Sequence, residues 1–255
     1  MTLALATNDD GVDSPGLHAL ARLAADLGLE VLVAAPTRES SGASASLGAV
    51  EDDGRIVVEH RRIGGLSDLR VLAVRAAPAF IVRAALHGAF GPEPDLVLAG
   101  INQGANTGNA VLHSGTVGAA MTAITYARSS LAVSLASSGD QCRWATAVAT
   151  ARPVVEWLLE AESPAVLNLN VPNVAPAAVR GLRRAELAPF GVVQTKVTEV
   201  GRGYVHLEYS EIDPIREPDS DAGLLAHGWA VLTPLRPFCE DRQLDLTGLP
   251  FAPGR

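Results

Sequence analysis

The sequence is short of cysteine, aromatic residues, basic charge and long apolar runs, and each shortage closes off a class of protein. Its 255 residues include two cysteines, Cys142 and Cys239, far apart and without metal-ligand spacing. That rules out a disulfide-rich framework and makes reduced thiols in a cytoplasmic protein the expectation. Aromatics make up 4% of the chain against 48% apolar residues overall, so the core must be aliphatic and alanine-rich. A net charge of −8 argues against a nucleic-acid polymer as partner, because such binding needs a basic surface that displaces counterions. Lys196 is the sole lysine among twenty basic residues and decides nothing about function. No apolar run approaches the roughly 20 residues of a membrane span. Met1 to Ala6 reaches Asp9 without a basic segment or an apolar stretch of signal-peptide length, so secretion is not expected.

Several familiar motifs are missing as well. Gly11 and Gly16 are separated by Val-Asp-Ser-Pro, which breaks the dinucleotide-binding fingerprint. Gly42-Ala43-Ser44-Ala45-Ser46 resembles a phosphate loop but has no P-loop lysine. The chain lacks a Gly-x-Ser-x-Gly nucleophile elbow, and none of its histidines has a partner pattern. His113 lies beside a possible phosphate loop, where a leaving-group acid would be useful, although a solvated histidine before a helix is commoner.

What remains is a strongly periodic α/β pattern. Leu3 to Thr7 reads as a buried strand, and Asn8-Asp9-Asp10-Gly11 follows as a turn. Ser14 is placed to cap a helix with Pro15 at its first position, and Leu17, Leu20, Ala21, Leu23, Ala24 and Leu27 recur at helical spacing until Gly28. Val31 to Ala35 is the next strand. The pattern repeats with a strand at Asp95 to Ala99, a Gly/Asn-rich loop from Gly100 to Gly108, and a helix from about Ser114 to Ala127. A strand at Leu131 to Leu135, a helix from Trp144 to Leu159 and a strand at Ala165 to Val171 complete the series. All-apolar strands alternating with helices predict a Rossmann-like, doubly wound, mostly parallel sheet over residues 1–184. Beyond that, Val192 to Val200 and Tyr204 to Ser210 flank Gly201-Arg202-Gly203, a hairpin signal, so residues 185–255 are read as a C-terminal β-arm and tail. An isolated hairpin is marginal in water, and a second subunit is its natural support.

Ligands in such sheets bind beyond the carboxyl ends of the strands, where strand order reverses. Three polar loops are predicted there, Asn8 to Gly11, Pro36 to Gly42 and Gly100 to Asn106. Adjacent carboxylates repel each other unless a cation neutralises them. Asp9 and Asp10, with the neutral oxygens of Ser41 and Asn102, suit a hard cation, Mg²⁺, Mn²⁺ or Ca²⁺, and the lack of a His/Cys cluster argues against zinc. Taken alone, the Asp pair serves equally well as a turn cap. Ser114-Gly115-Thr116 opens a helix, where hydroxyls and free backbone N–H groups could converge on a phosphate, or simply cap the helix.

The ordered set Thr7-Asn8-Asp9-Asp10-Gly11, Ser14-Pro15-Gly16, Ala35-Pro36-x-Arg38-x-x-Ser41-Gly42, Gly100-Ile101-Asn102-x-Gly104-x-Asn106-x-Gly108 and Ser114 to Ala120 resembles the SurE family of survival proteins, metal-dependent 5′/3′-nucleotidases. Leu167 to Pro172, Ser220-Asp221 and Leu232-Thr233-Pro234-Leu235 extend the resemblance. It implies one divalent cation per subunit on Asp9, Asp10, Ser41 and Asn102, and a phosphate held by Asn106, Ser114, Gly115 and Thr116. Catalysis would fall to Asp9, Asp10, Asn106 and Ser114. The implied substrate is a small phosphorylated metabolite, typically a nucleoside monophosphate, and the C-terminal arm would join subunits into a homodimer or homotetramer. The chain departs from the family pattern at Ala76 to Val82, where Gly-Thr-Pro-x-Asp-Cys-Val is usual. It departs again at Asn109-Ala110, in place of an acidic pair, and at His113, in place of tyrosine. These departures leave open a different phosphorylated substrate, a binding protein without turnover, or hydrolysis of another bond such as a ribosyl linkage.

Overall fold

The computed structural model of the chain describes residues 1–136, 141–189, 193–211, 217–237 and 239–240. In order, the elements are β1 (Leu3–Thr7), α1 (Pro15–Asp26), β2 (Glu30–Pro36), the short pair β3 (Glu51–Asp52) and β4 (Arg55–Ile56), β5 (Val58–Arg61), β6 (Arg70–Val74), α2 (Pro78–Leu86), β7 (Leu96–Gln103), α3 (Gly115–Ile124), β8 (Ser129–Ala136), α4 (Trp144–Glu160), β9 (Val166–Pro172), β10 (Leu182–Arg184), β11 (Val193–Gly201), β12 (Tyr204–Glu211), α5 (Asp221–Ala226) and β13 (Ala230–Leu235). A nine-stranded sheet runs β10-β13-β9-β8-β7-β1-β2-β6-β5, parallel from β9 to β6, with β13 and β5 antiparallel to their inner neighbours.

Every residue of β1 is buried, as a strand covered on both faces must be. Its alternation divides the core in two. Ala4 and Ala6 join Leu17, Leu20, Ala147 and Val155 under α1 and α4, while Leu3 and Leu5 join Ile81, Val82, Val117 and Ala120 under α2 and α3. From β1 the chain builds outward to β2 and β6 on one side, then restarts at β7 and builds to β8 and β9 on the other. The reversal therefore lies between β1 and β7, whose carboxyl ends carry Asp9-Asp10 and Asn102.

Three local features differ from the sequence expectation. The segment starting at Gly100 is not loop at first: β7 continues to Gln103, with its pairing to β8 shifting register between Ala99 and Asn102. Ser14 stands before α1 but makes no side-chain cap, and Pro15 alone marks the helix start. The segment around Ala76 to Val82, noted in the sequence only for its departure from a family pattern, contains the start of α2. The hairpin is present as β11 and β12, antiparallel through Gly201↔Tyr204 with a bulge between Val197 and Glu199; Val192 lies outside the described residues. Residues past 184 also return to the sheet, since β13 inserts between β9 and β10.

Candidate metal and phosphate site

The paired carboxylates sit where β1 runs out. Asp9 is 3% exposed and lies against the first turn of α3. This approach depends on Gly115, because a Cβ there would stand 2.7 Å from Asp9 Oδ2, nearer than side chains tolerate. The Thr116 hydroxyl donates a hydrogen bond to Asp9 Oδ1. Burial pushes the Asp9 carboxyl up from its ordinary range, and the Thr116 hydroxyl and the backbone N–H groups of Thr116 and Gly115 offset only part of that rise. Asp10 is half-buried and has one long hydrogen bond, from Gln103 N to its Oδ2 at 3.4 Å. Burial first, then the neighbouring Asp9 charge and Glu39, push it up to about 6.

The two loops expected to complete the site both reach it. Ser40 N donates to Asp9 O at 2.7 Å, which locks the loop after β2 onto the Asp pair. Ser41 and Asp10 line the same open cleft of about 490 Å³, together with Ser14, Glu39, Gln103 and Trp144. The Ser41 hydroxyl donates to Glu39 Oε1 at 2.8 Å. On the β7 side, Gly16 lets α1 press on the strand end, since a Cβ there would meet Ile101 O at 2.0 Å. Asn102 Nδ2 donates to Gly104 O at 2.8 Å, an arrangement that leaves the acceptor oxygen of the carboxamide for a ligand.

The residues expected to hold a phosphate are themselves fixed by neighbouring side chains. Asn106 N donates to Asn170 Oδ1 at 2.8 Å, Asn106 O accepts from Asn168 Nδ2 at 2.8 Å and from Asn170 Nδ2 at 2.9 Å, and Asn106 Nδ2 donates to Ser134 Oγ at 2.8 Å. Ser114 caps α3, its Oγ accepting from Val117 N at 3.1 Å, which leaves the hydroxyl proton free to donate. Thr116 is placed differently from the expectation: its hydroxyl donates to Asp9, and its backbone N–H, like that of Gly115, is also directed at the Asp9 carboxylate, so it orients that carboxylate.

The residues fit a hard cation by their chemistry. Among the described residues no three His, Cys, Asp or Glu side chains gather to hold a metal. The available donors are therefore Asp9, whose carboxyl burial pushes up despite its hydrogen bonds, and the sparsely bonded Asp10, with neutral oxygens beside them, a set suited to a partly hydrated divalent ion. Asn8 Oδ1, buried one residue away, also lacks a partner. Glu39, Gln103 and Trp144 went unnoticed in the sequence, and only Glu39 had a signal there, as an acid three residues from Pro36 in a loop already singled out. Of the departing segments, Ala76 and Ala77 line a second cleft described below, and Asn109 Nδ2 donates to Pro189 O at 2.5 Å.

The family model for survival protein SurE matches residues 4–192. The chain belongs to the SurE family. It is 36% identical to the 5′-nucleotidase SurE of Moorella thermoacetica over 98% of this chain and 93% of that protein. The 5′-nucleotidase SurE 1 of Burkholderia lata is also 36% identical, over 91% of this chain and 89% of the relative. The crystal structure of the SurE protein from Aquifex aeolicus superposes with a TM-score of 0.78 at 27% identity, covering 94% of this chain and 95% of the other. This SurE chain thus shares the fold over nearly its whole length. Among its described residues no helix is long and apolar enough to cross a membrane.

Proposed function

We propose that this SurE protein is a divalent-cation-dependent phosphomonoesterase that hydrolyses nucleoside monophosphates. The observation that carries the reading is the Asp9–Asp10 pair at the strand-order reversal, Asp9 pushed upward by burial against the first turn of α3 and Asp10 by burial and the Asp9 charge beside an open cleft. Two curated relatives bear the name 5′-nucleotidase, which supports the choice of substrate.

In this reading Asp9, Asp10, Ser41 and Asn102 hold one Mg²⁺ or Mn²⁺. A divalent cation at such a site supplies Lewis-acid polarisation of a phosphoryl oxygen. The protein's own groups do the positioning. Thr116 fixes the orientation of Asp9. The Ser114 hydroxyl donates to a phosphate oxygen at the start of α3, and Gly115, with no side chain in the way, lets Asp9 lie against that first turn beside it. Asn106, held by Ser134, Asn168 and Asn170, presents its carboxamide without having to reorganise as charge develops, which is where electrostatic preorganisation gains its effect.

The same reading divides the chain into a catalytic core at 1–184 and a C-terminal part at 185–255 whose β11–β12 hairpin pairs with no other strand among the described residues. Tyr204 and Val205 on that hairpin are each 54% exposed, which suits an arm that joins subunits into a homodimer or homotetramer. Neither Cys142 nor Cys239 forms a disulfide among the described residues, which suits a cytoplasmic setting. Inorganic phosphate release from a panel of nucleoside monophosphates and sugar phosphates tests the function. Release with Mn²⁺ or Mg²⁺ and its loss in EDTA are expected, whereas no release from any ester would reduce the protein to a binding role.

A further inference from the structure

A second cleft of about 760 Å³ opens on the far side of the loop that carries Ser41, lined by Thr37, Arg38, Ser40, Arg75, Ala76 and Ala77 among others. Its volume lies within the range of sites that enclose metabolite-sized ligands. One loop walls both clefts. It leaves β2 at Pro36, is tied to the Asp pair through Ser40 N and Asp9 O, and crosses to the start of α3, where Ser44 N donates to His113 O at 3.3 Å and Ser44 Oγ to Leu112 O at 2.6 Å. It then returns to β6, with Val50 N donating to Arg75 O at 2.8 Å and Ala77 N to Gly48 O at 2.8 Å. Ser40 lines this cleft and is bonded to Asp9 O, and Asp9 lies against Gly115, so the cleft borders the Asp pair and the first turn of α3.

The lining has an unusual charge for a protein of net −8. Arg38 and Arg75 are both exposed, and neither guanidinium takes part in an ion pair or side-chain hydrogen bond among the described residues. Glu59, which also lines the cleft, is within 4.0 Å of Arg61 Nη1. Some surface arginines are engaged, as Arg22 is with Asp68 at 2.7 Å and Arg128 with Glu93 at 3.5 Å. Two uncommitted guanidinium forks in one cleft, against the single carboxylate of Glu59, can receive a phosphate or carboxylate through paired N–H donors.

We propose that this cleft takes a second anionic group on the leaving alcohol, so that the preferred substrates are phosphomonoesters carrying a further phosphate or carboxylate. The inference rests on the phosphomonoesterase reading for the identity of the first phosphate, but its test does not require turnover. Binding is measured by calorimetry on the full chain stripped with EDTA, comparing adenosine 3′,5′-bisphosphate with adenosine 5′-monophosphate, and 3-phosphoglycerate with glycerol 3-phosphate. At least a tenfold preference for the doubly anionic member of one pair is expected, and the pair that shows it identifies the second anion as phosphate or carboxylate. The preference should fall several-fold in Arg38→Gln and in Arg75→Gln, and vanish in the double variant. Both side chains are exposed, and a thermal melt of each single variant confirms that folded protein is being compared. Equal binding within both pairs, or a preference that survives in both single variants, would overturn the inference. Phosphate release is scored separately on the same esters with Mn²⁺. No release alongside a retained binding preference would reject the phosphomonoesterase reading alone, whereas release without any preference would reject the second-anion cleft alone.

Discussion

Asp221 and the Asp9–Asp10 pair are both acids withdrawn from water at the start of a helix, yet the protein treats them differently. Asp221 is fully buried, and its two oxygens accept from Gly108 N at 2.8 Å, Ala188 N at 2.9 Å and Ala222 N at 2.7 Å. Those donors come from three separate segments, so the carboxylate pins the loop ahead of α3 to the C-terminal part of the chain. Burial still pushes its carboxyl up, but each oxygen has protein partners. Asp10 has a single bond at 3.4 Å and a second carboxylate next to it. One acid is a finished structural tie. Asp10, beside the Asp9 charge, is left poorly compensated, and in the metal-binding reading this difference separates it from a structural carboxylate better than burial does.

The comparison breaks most visibly at Asp10. Asp10→Asn keeps the shape and removes the charge, and kcat/KM on a nucleoside monophosphate should fall by about a thousandfold or more, the scale of several kcal/mol of lost transition-state stabilisation. Activity within tenfold of the parent would contradict the assignment. Thr116→Val tests whether Asp9 needs its orienting hydroxyl. Loss of such an outer contact should weaken Mn²⁺ affinity or activity by about 10–100-fold in a folded protein, and unchanged affinity would mean that Thr116 serves only to pack α3. Asp221→Asn should do the reverse. It sets an NH₂ group against backbone donors and should destabilise the fold by about 1–3 kcal/mol in denaturant titrations while retaining Mn²⁺ binding.

The smallest effect is the pH dependence of the cation-free protein. With Asp10 raised to about 6 and Asp9 raised in the same direction, the folded chain keeps protons that the unfolded chain releases between about pH 4 and 6. The stability these acids contribute is therefore whole below about pH 4 and declines as pH rises through 6. In EDTA the melting temperature of the parent should drop by a few degrees more than that of Asp10→Asn across this interval, and Mn²⁺ at pH 7 should restore it. Identical pH profiles for the two proteins would argue against the repulsion.

How much of this could be read in the sequence depended on whether a feature was local. The β1-turn-α1-β2 unit was legible because apolar runs, Pro15 and Gly28 act within a few residues, and the parallel order then implied that Ser41 and Asn102 would emerge beside Asp9 and Asp10. The α2 region was not read as a helix, since its apolar residues surround it and leave no polar face to mark the period. The bond between Thr116 and Asp9 spans 107 positions, and that between Gly108 and Asp221 spans 113. No spacing rule reaches that far, so Thr116 looked like a phosphate ligand and Asp221 only like part of a motif. The second cleft was hidden for the same reason: Arg38 and Arg75 line one cleft because β2 and β6 are neighbours.

The central claim is that the fold leaves the Asp9–Asp10 charge for a divalent cation, and a Mn²⁺ titration followed by electron paramagnetic resonance tests it most directly. The account predicts one tightly held Mn²⁺ per chain in the parent and in Asp221→Asn, and none in Asp10→Asn. A parent that binds no Mn²⁺, or an Asp10→Asn variant that binds it as the parent does, would contradict it.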